Sequence, residues 1–460
     1  MLFSCSATSK YNIKITAPQL QSDTVYLGRY FMGNVRTLDS LVLDKGIGEF
    51  KGKESLKEGI YVLYLSDGSY VDMLVGSDQT INVKLDTLNM PYNVVFSKAG
   101  QTEDFYKFSM LYFDAQKKAR EIGGAITQNT PEAERNAAIE QIKALENDVK
   151  AQREAYIKKY DDGMMGVFLK GYQMVEPPEC TLPDNCSNPD SARMAFYYAF
   201  FRDHFFDNIN LSDERSYYVP FIRQRIDTYL NKVLAQRYDS IIPQAINLVE
   251  KSRGSDSTFH IMADYVLAYA TNYDLPGFLD MRHIMGIDNL IVELADRYYL
   301  NGEAFWADSA LIEKVRKKAD KIRYCQIGKP AQNIALADAD GVYKPIYDMA
   351  GTKYTVLVFY EPDCGHCQQR LPKVAEYYKQ FNDSPDVKVL AVCMTDDKQA
   401  WQKFIKEYNT GNLINLWDPE RTSEYWKYYD TSETPMILVM DSDKNILVRN
   451  IEPEVLNYFK

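Results

Sequence analysis

Two cysteines with a spacing suited to redox chemistry, Cys364-Gly365-His366-Cys367, lie in the last quarter of the chain. Two thiols separated by two residues can close a small disulfide ring, and a helix beginning at this point favours a thiolate on the first sulfur. Cys364 is therefore the candidate nucleophile that attacks a substrate disulfide, and Cys367 is the thiol that resolves the mixed disulfide. A protonated imidazole on His366 would stabilise the Cys364 thiolate further.

Half of a structural zinc site is the main alternative for this pair. Such a site needs two more Cys or His ligands, and the sequence after Cys367 offers only Cys393 and no histidine. His204, His260 and His283 are scattered without a ligand spacing. The sequence therefore favours a redox pair, and it predicts no metal site and no cofactor.

The elements that must position the pair alternate between strand and helix after Gly328-Lys329-Pro330. The apolar run from Thr355 to Tyr360 is typical of a buried strand. Further predicted elements are helices over 368–381 and 398–408, a strand over 387–394, and a hairpin of 436–440 with 446–448. This order predicts a sheet with crossover helices, and hence an α/β domain over 326–460.

Near the start of the chain, the sequence follows the two-residue alternation of β-strands. Polar and apolar residues alternate over 11–16, 60–65, 81–85 and 93–96, with turn residues such as Asp67-Gly68 between them. These segments predict an antiparallel β-domain over 11–100.

A helical pattern begins near residue 103, where Phe105 and Phe108 open an apolar stripe. Thr130-Pro131 marks a second helix, with Thr130 as the predicted N-cap and Pro131 in the first turn. Together with the helical patterns over 191–322, these stripes predict a helical middle domain over 101–325. The predicted fold class is therefore a multidomain α+β protein.

Two features of the middle region call for an interpretation. The first is a set of aromatic residues at helical spacing that is typical of a buried core: Phe196, Tyr197, Phe200, Phe201, Phe205 and Phe206. The second is a loop rich in Pro and Asn, in which Cys180 and Cys186 either form a small disulfide or remain free thiols.

The net charge argues against nucleic acid as a partner, and the hydropathy argues against a membrane-spanning helix. The net charge is −11 and the sequence pI is about 5.1, whereas nucleic-acid binding relies on clustered Lys and Arg. The sequence contains no apolar run of about 18 residues, the length that a membrane-spanning helix requires.

The first residues resemble the end of a bacterial lipoprotein signal. Leu2-Phe3-Ser4-Cys5 places an aliphatic and a small residue ahead of a cysteine, and in this interpretation Cys5 is lipidated. The alternative is that Leu2 and Phe3 are ordinary apolar residues and Cys5 a plain thiol. Residues 1–10 are accordingly predicted to be a signal remnant and linker.

The C-terminal region resembles the thioredoxin fold of envelope disulfide reductases of the TlpA and ResA type. The residues that carry the resemblance are Gly328-Lys329-Pro330, the strand leading into Glu361-Pro362-Asp363-Cys364-Gly365-His366-Cys367, the helix-kinking Pro372, and Thr434-Pro435. The resemblance implies that Thr434-Pro435 forms a cis-proline loop beside the disulfide, where a substrate peptide can add to a strand edge. The long separation of Cys364 from Pro435 suggests the extra strand and helix of that subgroup.

The whole chain also resembles thioredoxin-like lipoproteins of Gram-negative anaerobes, which place a β-domain and a helical domain before the thioredoxin domain. The segment from Ile284 through Tyr298-Tyr299 and Gly302 to Trp306 looks like the signature of the middle domain. This resemblance implies a protein anchored by lipid at Cys5 on the periplasmic side of the outer membrane. It also implies protein disulfides as substrates and a membrane electron donor.

The chain departs from these families at two positions. Val358 stands where thioredoxin has a buried Asp, and Arg370 stands where TlpA-like reductases commonly have a Glu. The usual proton acceptors for the Cys367 thiol are therefore missing, and Glu361 is the proposed substitute. The charge of Asp363 would raise the pKa of Cys364 and oppose His366.

Two other functions remain open at this stage. Peroxiredoxins share the fold, but the Thr that they hold three residues before the reactive cysteine is Glu361 in this chain. A non-enzymatic envelope protein, which binds a partner or a glycan through its first two domains, is the other alternative. The intact Cys364 and Cys367 pair argues for an oxidoreductase over both.

Overall fold

Alternating apolar residues near the N-terminus build two β-sheets in the computed structural model. The structure describes residues 10–20, 22–86, 90–127, 129–183, 185–271, 284–381 and 384–460. The predictions for Cys5 and for His283 lie outside these residues. The strands of the first region are β1 Tyr11–Thr16, β2 Thr24–Phe31, β3 Asn34–Val42, β4 Ile47–Gly52, β5 Gly59–Leu65, β6 Tyr70–Val75, β7 Thr80–Lys84 and β8 Val95–Ser97.

The two sheets have the strand orders β4-β1-β7-β8 and β3-β2-β5-β6. Side chains from both sheets, such as Ile13, Leu27 and Leu63, share one buried core, so the region is a β-sandwich. All pairs are antiparallel, as predicted, except that β1 pairs with β7 in parallel. Parallel pairing needs a long connection between its strands, and the chain from β2 to β6 supplies it.

Sequence analysis missed β2, β3, β4 and β6. In β3 nearly every side chain is exposed, so no apolar alternation marks this strand. In β2 the pairing with β3 shifts register between Leu27 and Gly28. A Cβ atom at Gly28 would lie 2.6 Å from Cγ1 of Val35, and glycine relieves that close approach.

The middle of the chain is helical, as predicted. Its α-helices are α1 Gly100–Ala125, α2 Glu132–Lys159, α3 Met164–Tyr172, α4 Pro189–His204, α5 Ile222–Thr228, α6 Tyr238–Lys251, α7 Asp256–Thr271, α8 Asn289–Leu294 and α9 Ser309–Ile322. Helices α1 and α2 meet through an edge contact of the Phe108 and Tyr156 rings. The N-cap of α2 is Pro131, one residue beyond the predicted Thr130.

The interpretation of the aromatic residues around α4 as core is wrong for most of them. Phe205 and Phe206, just after the helix, are buried. Helix α4 itself has no buried residue, and Phe196 is 36% exposed. Aromatic residues occur all around this helix, so the pattern has no single apolar stripe that could direct one face inward.

The chain divides into two compact units. One contains the described residues up to Leu234 together with Glu250–Phe259, and the other contains Ala235–Val249 and the residues from His260 onwards. The helical region therefore contributes to both units. No helix in the described ranges is long and apolar enough to cross a membrane.

A seven-stranded sheet forms the C-terminal region, with the order β10-β9-β13-β12-β11-β14-β15. Its elements are β9 Ala335–Ala337, β10 Tyr343–Pro345, β11 Tyr354–Tyr360, α10 Gly365–Lys379, β12 Val387–Cys393, α11 Lys398–Glu407, β13 Ile414–Trp417, α12 Tyr425–Tyr428, β14 Met436–Met440 and β15 Ile446–Arg449. Strand β11 lies between β12 and β14, and residues 356–360 are buried in two core clusters on opposite faces.

The extra elements suggested by the sequence are present. Helix α11 and strand β13 are inserted between β12 and β14, and β13 pairs in parallel with β12. The predicted strands β11, β12, β14 and β15 are confirmed to within one residue at each end. Helix α10 begins at Gly365, three residues before the predicted start.

Candidate active site

Strand β11 and helix α10 together place Cys364 at the carboxyl edge of the sheet. The strand ends at Tyr360, three residues connect it to Cys364, and Cys364 is the N-cap of α10 with φ −77° and ψ 115°. In this position the sulfur faces the unpaired backbone amides of the first helical turn, which favour a negative charge.

Cys364 is the more accessible thiol of the pair. It is half-buried, and its Sγ donates a hydrogen bond to the carbonyl oxygen of Thr434 at 3.4 Å. Burial raises the pKa of Cys364, but hydrogen bonds from the Thr434 side chain and from the Cys367 and His366 backbone amides lower it by more in total. The net effect is a pKa below the ordinary value, so more of the thiol is ionised.

Cys367 has the opposite environment. Its side chain is fully buried in the core beneath α10. Burial raises the pKa of Cys367 to about 12, and the neighbouring Cys364 raises it, whereas the Glu361 backbone amide and Thr434 lower it. The structure therefore separates an accessible, acidified thiol from a buried, protonated one.

Thr434 and Pro435 lie beside the pair, as the sequence predicted. Antiparallel pairing of β11 with β14 brings the loop before β14 to Cys364. The Thr434–Pro435 peptide bond is cis and Pro435 is buried. The role of Thr434 and Pro435 in substrate binding stays a prediction.

The remaining predicted residues surround the pair. His366 is exposed in the first turn of α10. The part of His366 that helps to lower the pKa of Cys364 is its backbone amide, not its imidazole. Glu361 is exposed, and the part of it that affects Cys367 is its backbone amide. The imidazole role of His366 and the proton-acceptor role of Glu361 therefore stay predictions.

The two departures from the reductase families have clear structural settings. Val358 is fully buried in the same core as Cys367 and has no polar group to offer. Arg370 forms an ion pair with Glu452. Neither side chain can accept a proton from Cys367.

Sequence analysis missed a buried polar group behind Cys367. It consists of Tyr360, Cys393 and Trp401, which are all fully buried in the core that contains Cys367. Cys393 is the last residue of β12, and burial raises its pKa to about 11. The available sequence signal was a tyrosine at the very end of an otherwise apolar strand.

The other cysteines in the described ranges, including Cys180 and Cys186, are free thiols. The described residues contain no group of three or more His, Cys, Asp or Glu side chains placed to hold a metal ion.

Comparisons with known proteins support a thioredoxin-like fold for the C-terminal region. A family model described as thioredoxin-like matches residues 351–446, and none of the curated proteins matches the chain. A domain of a possible thiol-disulfide isomerase from Cytophaga hutchinsonii is 32% identical. That match covers 29% of this chain and 89% of that domain, with a TM-score of 0.27.

Two other solved structures are more distant. A thioredoxin-like protein from Bacteroides caccae is 16% identical, with 62% of this chain and 98% of that chain covered and a TM-score of 0.42. A secreted disulfide oxidoreductase from Mycobacterium tuberculosis is 19% identical, with 27% and 92% covered and a TM-score of 0.24. Residues 351–446, which include the paired cysteines, therefore form a thioredoxin-like domain within this multidomain α+β chain.

Proposed function

We propose that this chain is a thiol-disulfide oxidoreductase that reduces or isomerises protein disulfides in the bacterial cell envelope. The observation that carries the proposal is the unequal pair. Cys364 is half-buried with a lowered pKa, and Cys367 is fully buried behind it with a raised pKa. This arrangement suits a first thiol that attacks and a second thiol that waits inside until a mixed disulfide has formed.

In the reductive direction, the Cys364 thiolate attacks one sulfur of a substrate disulfide. The substrate S–S bond breaks, and its leaving sulfur departs as a thiolate that takes up a proton. Cys367 then loses its proton and attacks Sγ of Cys364, so that the Cys364–Cys367 disulfide forms and the second substrate thiol is released. The substrate gains two electrons and two protons, and the enzyme pair loses them.

The loop at Thr434 is the proposed docking point for the substrate peptide. Pairing between β11 and β14 begins at Met436, so the Thr434 backbone lies beyond the ladder. Its carbonyl oxygen is already within hydrogen-bond distance of Cys364. An extended peptide that pairs there would bring its disulfide to the Cys364 sulfur. A membrane dithiol donor would then return two electrons and two protons to the oxidised pair.

Single substitutions of the two cysteines test this function. We expect Cys364→Ser to abolish reduction of a protein disulfide such as that of insulin, and Cys367→Ser to accumulate a mixed disulfide through Cys364. Cys180→Ser is the matched control, because Cys180 is a partly exposed free thiol that belongs to the other compact unit. A Cys364→Ser protein with undiminished activity would show the proposed function to be wrong.

The envelope location and a lipid anchor at Cys5 are part of the same proposal. The support is the Leu2-Phe3-Ser4-Cys5 sequence and the resemblance to thioredoxin-like lipoproteins. Mass spectrometry of the N-terminal peptide from the envelope fraction would detect the expected acyl chains on Cys5. An unmodified Cys5 in that fraction would contradict the anchor and leave the redox proposal intact.

A further inference from the structure

The group behind Cys367, formed by Tyr360, Cys393 and Trp401, is hereafter called the tyrosine cluster. Tyr360 and Cys393 are the last residues of β11 and β12, and they lie directly opposite each other in the parallel register. Trp401 reaches the cluster from α11. All three side chains have 0% exposure, so water does not reach them from the surface.

The cluster contains hydrogen-bond donors that lack a strong acceptor. Within the described ranges, the Tyr360 hydroxyl and the Trp401 indole nitrogen are buried atoms without a well-formed hydrogen bond. The Tyr360 hydroxyl faces the Cys393 sulfur, which is a weak acceptor, and the Trp401 N–H faces the Tyr360 oxygen. Buried donors are satisfied in the great majority of native proteins, and exceptions occur where a group has a catalytic or redox role.

The redox reaction itself would create an acceptor at this place. Cys367 must lose its proton before it attacks the mixed disulfide, so its sulfur is briefly a negatively charged thiolate. A thiolate accepts hydrogen bonds far better than a thiol. Val358 and Tyr360 lie on the same side of β11, in the core that contains Cys367. Burial raises the pKa of Tyr360 well above its usual value. The Cys393 sulfur, as a charge and as a hydrogen-bond acceptor, raises this pKa further, as does the charge of Cys367, whereas a hydrogen bond from Trp401 lowers it. The phenol therefore stays protonated and remains a donor.

We propose, on the basis of the function proposed above, that the Tyr360 hydroxyl donates a hydrogen bond to the Cys367 thiolate during the resolving step. Cys393 and Trp401 hold the phenol ring in position. The proton of Cys367 does not go to Tyr360. It leaves with the released substrate thiol, while the electron pair of Cys367 forms the bond to Cys364 and the Cys364–substrate bond breaks.

Charged groups around the cluster lie on its outer side. The carboxylates of Glu361 and Asp363 raise the pKa of Cys393 from the loop after β11. Cys364 faces Cys367 from the start of α10, and Thr434 lowers the pKa of Cys367 from the loop before β14. None of these groups gives Cys367 a buried positive charge, so a neutral donor is the type of stabilisation that the site offers.

Tyr360→Phe in the full chain tests this role, because it removes the hydroxyl and keeps the ring. We expect mixed-disulfide formation by Cys364 to proceed at the wild-type rate and resolution by Cys367 to be slower by about tenfold or more. The pH profile of resolution should move to higher pH by about one unit. Rapid quenching with acid and mass spectrometry would separate the two steps.

Tyr429→Phe is the matched control. Tyr429 is equally buried in the same domain, but it belongs to the core on the other face of the sheet, and its hydroxyl donates to the Gln332 carbonyl oxygen. We expect Tyr429→Phe to leave the rate and the pH profile of resolution unchanged. A thermal unfolding curve for each variant identifies any loss of folded protein.

The outcomes separate this inference from the function on which it rests. Slow resolution confined to Tyr360→Phe supports the hydrogen bond. A folded Tyr360→Phe protein that resolves at the wild-type rate and pH overturns it and leaves the oxidoreductase function intact. A wild-type protein that forms no mixed disulfide through Cys364 overturns the proposed function itself.

Discussion

The β-sandwich and the thioredoxin-like domain each bury an ionisable group near a tyrosine, with different consequences. In the sandwich, the Tyr30 hydroxyl donates to Oδ1 of Asp72 at 3.4 Å, and burial raises the pKa of Asp72 to about 6. In the thioredoxin-like domain, burial raises the pKa of Cys367 to about 12, and the Tyr360 hydroxyl in the same core faces the Cys393 sulfur, a weak acceptor.

The difference shows that burial alone does not define a redox site. Asp72 accepts a hydrogen bond from Tyr30, and its charge change is coupled to the stability of the sandwich. Cys367 lies behind a second thiol with a lowered pKa, and it shares its core with Tyr360, whose hydroxyl faces the weakly accepting Cys393 sulfur. A buried group gains a chemical role where a reactive neighbour can exchange electrons with it and where the surroundings can stabilise its charged form.

Thiol alkylation would expose the largest expected difference. In the reduced protein, Cys364 should react with iodoacetamide at least about 100-fold faster than Cys367 at neutral pH, because its pKa is lowered whereas that of Cys367 is raised to about 12. Mass spectrometry of peptides after timed alkylation measures both rates. Equal rates in the folded protein would remove the contrast between an accessible and a buried thiol.

Cavity formation in the core of the thioredoxin-like domain should have the next largest effect. Trp401 is fully buried and stacks on Trp417 with ring centroids 4.9 Å apart. We expect Trp401→Ala to lower the free energy of unfolding of this domain by about 3–5 kcal/mol. Hydrogen exchange on the full chain should show loss of protection in β11 and β12 but not in the β-sandwich.

The reverse experiment uses Ile13, which is fully buried in the sandwich core. Ile13→Ala should cost about 2–5 kcal/mol in the sandwich and leave the alkylation rate of Cys364 unchanged. If this substitution altered Cys364 reactivity, the two regions could not be treated as separate cores.

The pH dependence of unfolding of the β-sandwich tests whether burial shifts the pKa of Asp72. Burial raises the pKa of Asp72 from 3.8 to about 6, so folding favours the protonated carboxyl. The stability that protonated Asp72 contributes is therefore fully present below pH 3.8 and is lost as the pH rises through about 6. Relative to wild type, Asp72→Asn should gain up to about 3 kcal/mol over this interval. Urea unfolding followed across the same pH range measures the difference.

Asp67→Asn is the control for this titration. Asp67 lies in the same hairpin, but hydrogen bonds from Ser69 lower its pKa. Its substitution should therefore not reproduce the gain. A pH-independent Asp72→Asn difference would show that Asp72 does not titrate differently in the folded protein.

A surface ion pair should give the smallest effect. Lys373 and Glu454 lie 2.8 Å apart, with 58% and 62% of their side chains exposed. Lys373→Ala should change the free energy of unfolding by less than about 1 kcal/mol and leave Cys364 reactivity unchanged. A larger loss of unfolding free energy would mean that the contact between α10 and the C-terminal residues stabilises the domain more than its solvent exposure indicates.

The sequence predicted the site much better than it predicted its surroundings. Cys364 and Cys367 were identified because their spacing and the start of a helix are local features, and β11 and β12 because apolar runs mark buried strands. Strand β3 was missed because its side chains are exposed and give no alternation. The aromatic residues of α4 suggested a core, but the sequence did not indicate that none of them would be fully buried within the described structure.

By itself, the sequence determined a redox pair at the start of a helix, the absence of the usual acceptors at Val358 and Arg370, and the alternation that builds the C-terminal sheet. Only the tertiary structure decided that Tyr360, Cys393 and Trp401 meet behind Cys367. Those three residues come from two strands and a helix that are separated along the chain. Which side chains face each other there depends on the parallel register of β11 and β12, which no local pattern specifies.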